Sequence, residues 1–379
     1  MTALRIHAGP KAPDRVLGWD VLRGLCALAV ASYHLLYWQD VATLNTFGSY
    51  GVYLFFVLSG ASLAYNYSGR LAGVRDSLSF LATRWLRLAP LYILLCGVFV
   101  AMLAARNGSL PDMLPMRLAL NATFAFGLHD PALWALLIGG WSLGIEFIYY
   151  LAFPLLLLVL PRARLCALVA VALSLVQWLW IDRTAGSAAG YAASSVAYHQ
   201  VPAFAAYFFG GCVIGHWRRW AGGTIRESMG VLAWAAMGLL LFLLNPARQG
   251  DELLGARGVV LFVACFAIVH ASGRVSVSAR LEPVARWLGD ITYGCYLLHP
   301  LYFFGFAWFV LPRYAPWNVS ELPLGVQWGV VAVVLGLSCV TAVASERWFE
   351  APVRRWGKRM LGGRRPAAPA YSEAASISS

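Results

Sequence analysis

The chain has 379 residues, of which 60% are hydrophobic, 14% aromatic and only 12% charged, with a mean hydropathy of +0.67. Soluble domains carry about 25% charged residues, so the composition excludes one and points to an all-α membrane protein, a polytopic helical bundle. The basic opening, MTALRIHAGPKAPDR, is not followed closely by a short apolar core with a small-residue cleavage site. Residues 1–17 are therefore expected to be a cytoplasmic segment ahead of a retained first helix.

Ten apolar runs approach spanning length: residues 18–38, 48–67, 86–105, 137–160, 165–181, 201–217, 229–244, 253–271, 288–311 and 325–345. Several are short, and the seventh and eighth are separated only by NPARQGDELLGAR. With both termini cytoplasmic, the inside segments hold 23 of the 29 Lys and Arg residues, and the outside loops hold only Arg106, Arg117, Arg183, Arg248, Arg257 and Arg313. That asymmetry follows the positive-inside rule, so the net charge of +12 reflects topology and calls for no nucleic-acid partner.

In the first span, DVLRGLCALAVASYHLLYW, Arg23 and His34 are eleven residues apart. Eleven steps of about 100° return to within roughly 20° of one face, with roughly 16 Å between them, Arg23 near the surface and His34 near mid-depth. Asp20 precedes Arg23 by three, the spacing at which opposite charges meet on a helix. Two readings stand: a polar cavity lined by ionisable groups, or a snorkelling arginine and a histidine bonded to a neighbouring helix.

The second span contains GVYLFFVLSG, Gly51 to Gly60, whose glycines suit close helix packing or a close backbone approach. FLATRWLRLAPLY follows, with Arg84 and Arg87 one turn apart at the cytoplasmic surface, placed to grip phosphates bidentately or simply to anchor the helix. Pro90 either sits in a first helical turn or breaks the span. In WSLGIEFIYYLAFP, residues Ser142, Glu146 and Tyr150 share a face, and a carboxylate at Glu146 calls for His34 or an arginine as partner, whether for function or to fix register.

VPAFAAYFFGGCVIG reads mainly as a packing surface, with His199 and His216 interfacial at its ends. DITYGCYLLHP places His299 inside the ninth span, either lining a cavity or bonded within the packing. SERWFEAPVRRWGKR, with Glu346 and Glu350 among arginines, reads as an interfacial cap of intrahelical pairs. The seven cysteines, Cys26, Cys96, Cys166, Cys212, Cys265, Cys295 and Cys339, include no C-x-x-C and suggest neither disulfides nor a metal site. Residues 353–379 are expected to be a cytoplasmic tail, basic at first and then, after Arg365, Ala, Ser and Pro-rich and disordered, and no soluble domain is expected at either end.

Taken in order, these pieces resemble the integral-membrane acyltransferase 3 family, which includes polysaccharide O-acetyltransferases. The resemblance runs from Asp20 to Pro352 and rests on Arg23 with His34, GVYLFFVLSG, FLATRWLRLAP, WSLGIEFIYYLAFP, GDITYGCYLLHP and ERWFEAP. It implies a domain over residues 18–352, in a bacterial inner membrane, that acylates an extracytoplasmic hydroxyl on a polysaccharide or lipid-linked glycan. The donor it implies is cytoplasmic acyl-CoA, chiefly acetyl-CoA, with no permanently bound cofactor; membrane lipids and glycan-biosynthesis proteins are the implied partners. Residues 182–198 and the third span match only in apolar character or not at all.

Acyl transfer from a thioester needs a base, a donor site and an oxyanion stabiliser. His34 is the candidate base, or the group that first accepts the acetyl itself. Arg23 is placed for the pantetheine arm or a CoA phosphate, Arg84 and Arg87 for the nucleotide phosphates, and Glu146 to orient His34 or balance an arginine. Ser142, Tyr150 and His299 complete the expected substrate-binding set. Two other classes compete: a proton-coupled transporter or flippase of a glycan or lipid precursor, and a non-catalytic subunit of a glycan-export complex. The transporter lacks visible repeat symmetry in support; the subunit leaves the arginine pair and histidine without a task.

Overall fold

A computed structural model describes residues 15–71, 73–220, 223–314 and 318–361. The N-terminal segment up to residue 14 and the tail from 362 onward, including the stretch expected to be disordered, lie outside the described residues. Among the described residues fourteen α-helices follow in chain order: α1 Leu17–Trp38, α2 Asn45–Tyr67, α3 Val74–Asn107, α4 Leu114–Thr123, α5 Pro131–Trp134, α6 Trp141–Val159, α7 Ala163–Thr184, α8 Gly190–Tyr198, α9 Ala205–Trp220, α10 Glu227–Leu243, α11 Gly255–Ser272, α12 Glu282–Gly305, α13 Leu324–Ser345 and α14 Ala351–Met360.

The described chain is an all-α polytopic membrane protein. Eight of its helical segments are long and apolar enough to span a bilayer. The sixth and seventh expected spans are shorter, α9 with 16 residues and α10 with 17. Long apolar helices form here because lipid supplies no partner for backbone N–H and C=O groups, so each span must satisfy its own. The short helices α4, α5 and α8 lie in connections that hydropathy does not single out.

Two elements run well past the bilayer. At about 1.5 Å per residue the 34 residues of α3 reach about 51 Å, against about 30 Å of hydrocarbon. Its apolar part is the expected 86–105, so Val74 to Trp85 is a projecting stem, and Pro90 lies inside the helix rather than in its first turn. At the other end of the chain a π-turn, Glu346–Glu350, joins α13 to α14 in one continuous 37-residue segment. The projecting parts of α3 and α14 pack together.

Close approach builds the centre. The tightest pairing is α2 on α9, then α1 on α12, α12 on α13 and α1 on α2. A Cβ on Gly60 would stand 2.1 Å from the Phe208 carbonyl oxygen, one on Gly211 2.1 Å from that of Val57, and one on Gly215 1.9 Å from that of Ala61. The glycines of GVYLFFVLSG and of the α9 stretch are therefore packing surface, letting two backbones meet where lipid gives helices no hydrophobic reason to associate. All seven cysteines are free, and six are buried.

Candidate functional site

A cavity of about 670 Å³ opens between α1, α2, α3, α6, α12 and the α13–α14 turn. Besides Glu146, its charged lining comes from Arg15 and the start of α1 (Asp20, Arg23), Arg70 just after α2, α3 where its stem meets its apolar part (Arg84, Arg87), the first half of α12 (Asp290), and the π-turn and α14 (Glu346, Glu350, Arg354). These positions lie toward one side of the bundle, because α1, α3 and α12 enter from it and α13 returns to it. On α2 the lining runs from Tyr67 inward to Val52, a depth of about 22 Å at 1.5 Å per residue.

Arg23 enters the cavity tethered on three sides. It pairs with Asp20 at 3.2 Å, donates to the Leu58 carbonyl at 3.4 Å and bonds the Ser62 hydroxyl. Asp20 is itself held by Arg15, which reaches Asp290 at 2.8 Å, and Gly289 has no Cβ to obstruct that cluster. Arg84 donates to the Tyr67 hydroxyl at 3.2 Å and lies over the Tyr67 and Phe80 rings at 5.6 and 5.7 Å, but its buried Nε has no partner among the described residues. Arg87 is exposed and has neither a hydrogen bond nor an ion pair among them. Guanidinium groups fixed in place with free N–H donors are suited to anionic oxygens.

Glu146 sits deeper, and its Oε1 accepts from the Ser59 hydroxyl at 2.5 Å and from the Tyr150 hydroxyl at 2.5 Å. The expected partner, His34 or an arginine, is not there: among the described residues Glu146 makes no ion pair. Two hydroxyls from α2 and its own helix satisfy the carboxylate instead, which removes the reason for a cation. At the inner end Ser142 bonds the Tyr296 hydroxyl at 3.0 Å, and Tyr296 donates to the Gly139 carbonyl at 2.9 Å.

His34 is not on the cavity wall. It stands one turn before the end of α1, past the mid-depth expected of it, because at about 1.5 Å per residue the 17 steps from Leu17 carry it about 26 Å along the helix. Its Nδ1 meets His299 Nε2 at 3.0 Å, and His299 Nδ1 meets the Cys295 carbonyl at 3.1 Å. A carbonyl only accepts, so His299 Nδ1 carries a proton. With both rings neutral its Nε2 is then an acceptor, His34 Nδ1 is the donor, and His34 Nε2 is left with the free lone pair. Trp38 stacks on both rings, 5.0 Å from His34 and 5.9 Å from His299. The Tyr296 ring, on the cavity wall, is 6.3 Å from that of His299, so one layer of side chains separates cavity from histidine pair.

Of the residues singled out in the sequence, Arg23, Arg84, Arg87, Ser142, Glu146 and Tyr150 share this cavity, while His34 and His299 pair beyond its inner end. The sequence reading missed Glu346, Glu350 and Arg354 as lining. They do form the expected local pairs, Arg354 with Glu346 at 2.9 Å and with Glu350 at 3.7 Å. The signal left unread is the ERWFEAP motif itself, whose two glutamates fall on a π-turn, a geometry frequent at functional sites.

A polytopic α-helical membrane protein with a one-sided, arginine-rimmed cavity leading toward a histidine pair is the class that fold and site define. A family profile described as an acyltransferase domain matches residues 16–344, and the chain belongs to that acyltransferase 3 family. It is similar to the acyltransferase MdmB of Streptomyces mycarofaciens, 32% identical over 38% of this chain and 40% of that protein. The peptidoglycan O-acetyltransferase OatA of Listeria monocytogenes is 27% identical over 89% of this chain and 56% of its own length. The exopolysaccharide production protein ExoZ of Rhizobium meliloti is 28% identical over 67% of this chain and 76% of its own. The chain thus spans about half the length of the first two relatives. No solved structure matches it.

Proposed function

We propose that this protein is a membrane-bound O-acyltransferase that moves an acyl group, acetyl in the first instance, from cytoplasmic acyl-CoA to a hydroxyl of an extracytoplasmic glycan in a bacterial inner membrane. The observation that carries the reading is the cavity itself: a basic rim on one side, a polar shaft, and, one layer of side chains beyond its inner end, the His34–His299 pair. Relatives named for peptidoglycan O-acetylation and exopolysaccharide production favour a glycan acceptor.

In this reading Arg84 and Arg87 bind donor phosphates at the rim, and Arg23 steadies the pantetheine arm. The thioester reaches the histidine pair when the Phe55 and Tyr296 rings, 5.9 Å apart, separate. His34 Nε2 takes the proton from the acceptor hydroxyl as its oxygen attacks the thioester carbonyl. The C–S bond then breaks, and the thiolate recovers that proton from the imidazolium, leaving free CoA. His299, holding the Nδ1 proton of His34, is a positioning residue, and Glu146 keeps the Ser59 and Tyr150 hydroxyls turned inward.

Transfer of labelled acetyl from acetyl-CoA in vesicles containing the protein tests this. His34→Ala is expected to lower transfer by about 100-fold or more while CoA still binds, and Arg84→Ala to weaken CoA binding. A folded parent that neither binds nor consumes acetyl-CoA would overturn the reading.

A further inference from the structure

Beside the main cavity lies a second, smaller one of about 110 Å³, lined by Thr83, Arg84, Leu86 and Arg87 of α3 and by Arg354 and Lys358 of α14. Arg84, Arg87 and Arg354 line both, so the small cavity is a side pocket on the rim of the large one. Four cations converge on it and no carboxylate lines it. Arg354 is neutralised by Glu346 and Glu350. Arg87 and Lys358 make no hydrogen bond or ion pair among the described residues, though the Glu350 carboxylate also acts on Arg87 through space, and Arg84 has only a hydroxyl and two ring faces. Four cations against two nearby carboxylates leave an excess of positive charge, and an anion relieves the repulsion among them.

The pocket exists because α14 packs against α3 around Leu86. Gly357 makes this approach possible, since a Cβ there would meet Leu86 Cδ1 at 2.3 Å. At about 30 Å³ per water-sized group, 110 Å³ holds a single tetrahedral phosphate and not a nucleoside. CoA carries two kinds of phosphate. Its diphosphate is in line with the pantetheine arm and so must follow the main shaft, whereas its 3′-phosphate branches from the ribose.

We infer that α14, which lies beyond the matched family domain, completes a seat for a phosphate monoester, the 3′-phosphate of the acyl-CoA donor, with Lys358 and Arg87 as its principal ligands and Gly357 as the residue that lets it close. The inference rests on the proposed acyl-CoA donor. Lys358 is exposed on α14, so Lys358→Gln leaves packing intact, whereas Gly357→Leu lifts the helix.

The test is binding of CoA and of 3′-dephospho-CoA to purified protein in phosphatidylcholine nanodiscs, parent against both variants. The parent is expected to prefer CoA, and Lys358→Gln to lose about tenfold of that preference, the worth of one charge-assisted hydrogen bond, with dephospho-CoA affinity unchanged. Gly357→Leu should lose the preference as well. A parent that binds CoA without discriminating, or variants that keep the full preference, overturns the seat while leaving the donor assignment standing. A parent that binds neither compound overturns the donor assignment instead. Repeating the comparison with anionic lipid in the disc separates the remaining source of phosphate. If such lipid masks Lys358 while the variants still discriminate, the pocket holds headgroups and the inference fails.

Discussion

His299 meets the rest of the site through one nitrogen, and that makes its role testable. Its Nε2 accepts from His34 while its ring stacks near Trp38. Gln at this position can present a side-chain oxygen near the place of Nε2; Phe keeps the ring and removes the acceptor. In acetyl transfer, His299→Phe is expected to lower kcat about tenfold or more with little change in KM for acetyl-CoA, and His299→Gln to retain more of the rate. Equal losses in both, tracking a lower melting temperature, would assign the residue to packing alone. A second buried residue gives a signature in stability. Glu252 is wholly buried in the connection between α10 and α11, and burial raises its pKa despite hydrogen bonds from the Ser49 hydroxyl and the Gly250 N–H at 2.7 Å each. A carboxyl whose folded pKa is raised holds its proton more tightly when folded, so its contribution is fully present below the unfolded value and lost as pH rises through the folded one. The apparent melting temperature in detergent should therefore fall from pH 4.5 toward neutrality more steeply for the parent than for Glu252→Gln; parallel curves would rule this out. At this scale the sequence disclosed what is local. Asp20 with Arg23 is legible from i, i+3 spacing, but His34 with His299 joins positions 265 apart, and Glu146 drew two hydroxyls where its charge alone suggested a cation.

Helices show the same division between local and distant information. Hydropathy located the eight helical segments long enough to cross a bilayer, because bilayer thickness imposes a minimum apolar length on each. It did not reveal the stem of α3, since Arg75, Asp76, Arg84 and Arg87 interrupt the apolar run without interrupting the helix. Nor did it distinguish glycines that pack from glycines that do not. In α9, Gly215 faces the Ala61 carbonyl, whereas Gly238 in α10 has nothing within 4 Å of where a Cβ would be. Gly215→Val is expected to destabilise by about 1–3 kcal/mol or more through overpacking against backbone. Gly238→Ala is expected to stabilise by about 0.5–1 kcal/mol, through the lower entropy of the unfolded chain. Thermal unfolding in detergent reads both, and similar shifts for the two would mean that α2 and α9 are not pressed together as described.

At the level of the whole molecule, the decisive property is sidedness. Apart from Glu146, the charged groups of the cavity lie toward the face where α1 begins, the face that the positive-inside distribution is expected to place in the cytoplasm. Toward the other face the cavity ends at Ser142 and Tyr296, pinned to Gly139. No stretch of sequence could announce such a cavity, because its walls come from positions as far apart as Arg15 and Arg354. A transporter needs the same site to open alternately to both faces; an acyltransferase with a cytoplasmic donor needs only its acyl group to pass the Phe55 and Tyr296 rings. The two differ in what a sealed vesicle does. Inside-out vesicles, which present the α1 entry face to the medium, are expected to consume external acetyl-CoA and deliver the label to acceptor hydroxyls in the lumen, while the CoA nucleotide stays outside. Right-side-out vesicles are expected to leave external acetyl-CoA untouched until permeabilised. Consumption in both orientations would contradict a one-sided cavity, and acceptor movement without thioester loss would give the histidine pair to transport. Label inside with nucleotide outside distinguishes acyl passage from donor passage, which is the separation that the proposed function asks of a basic rim and an aromatic inner end.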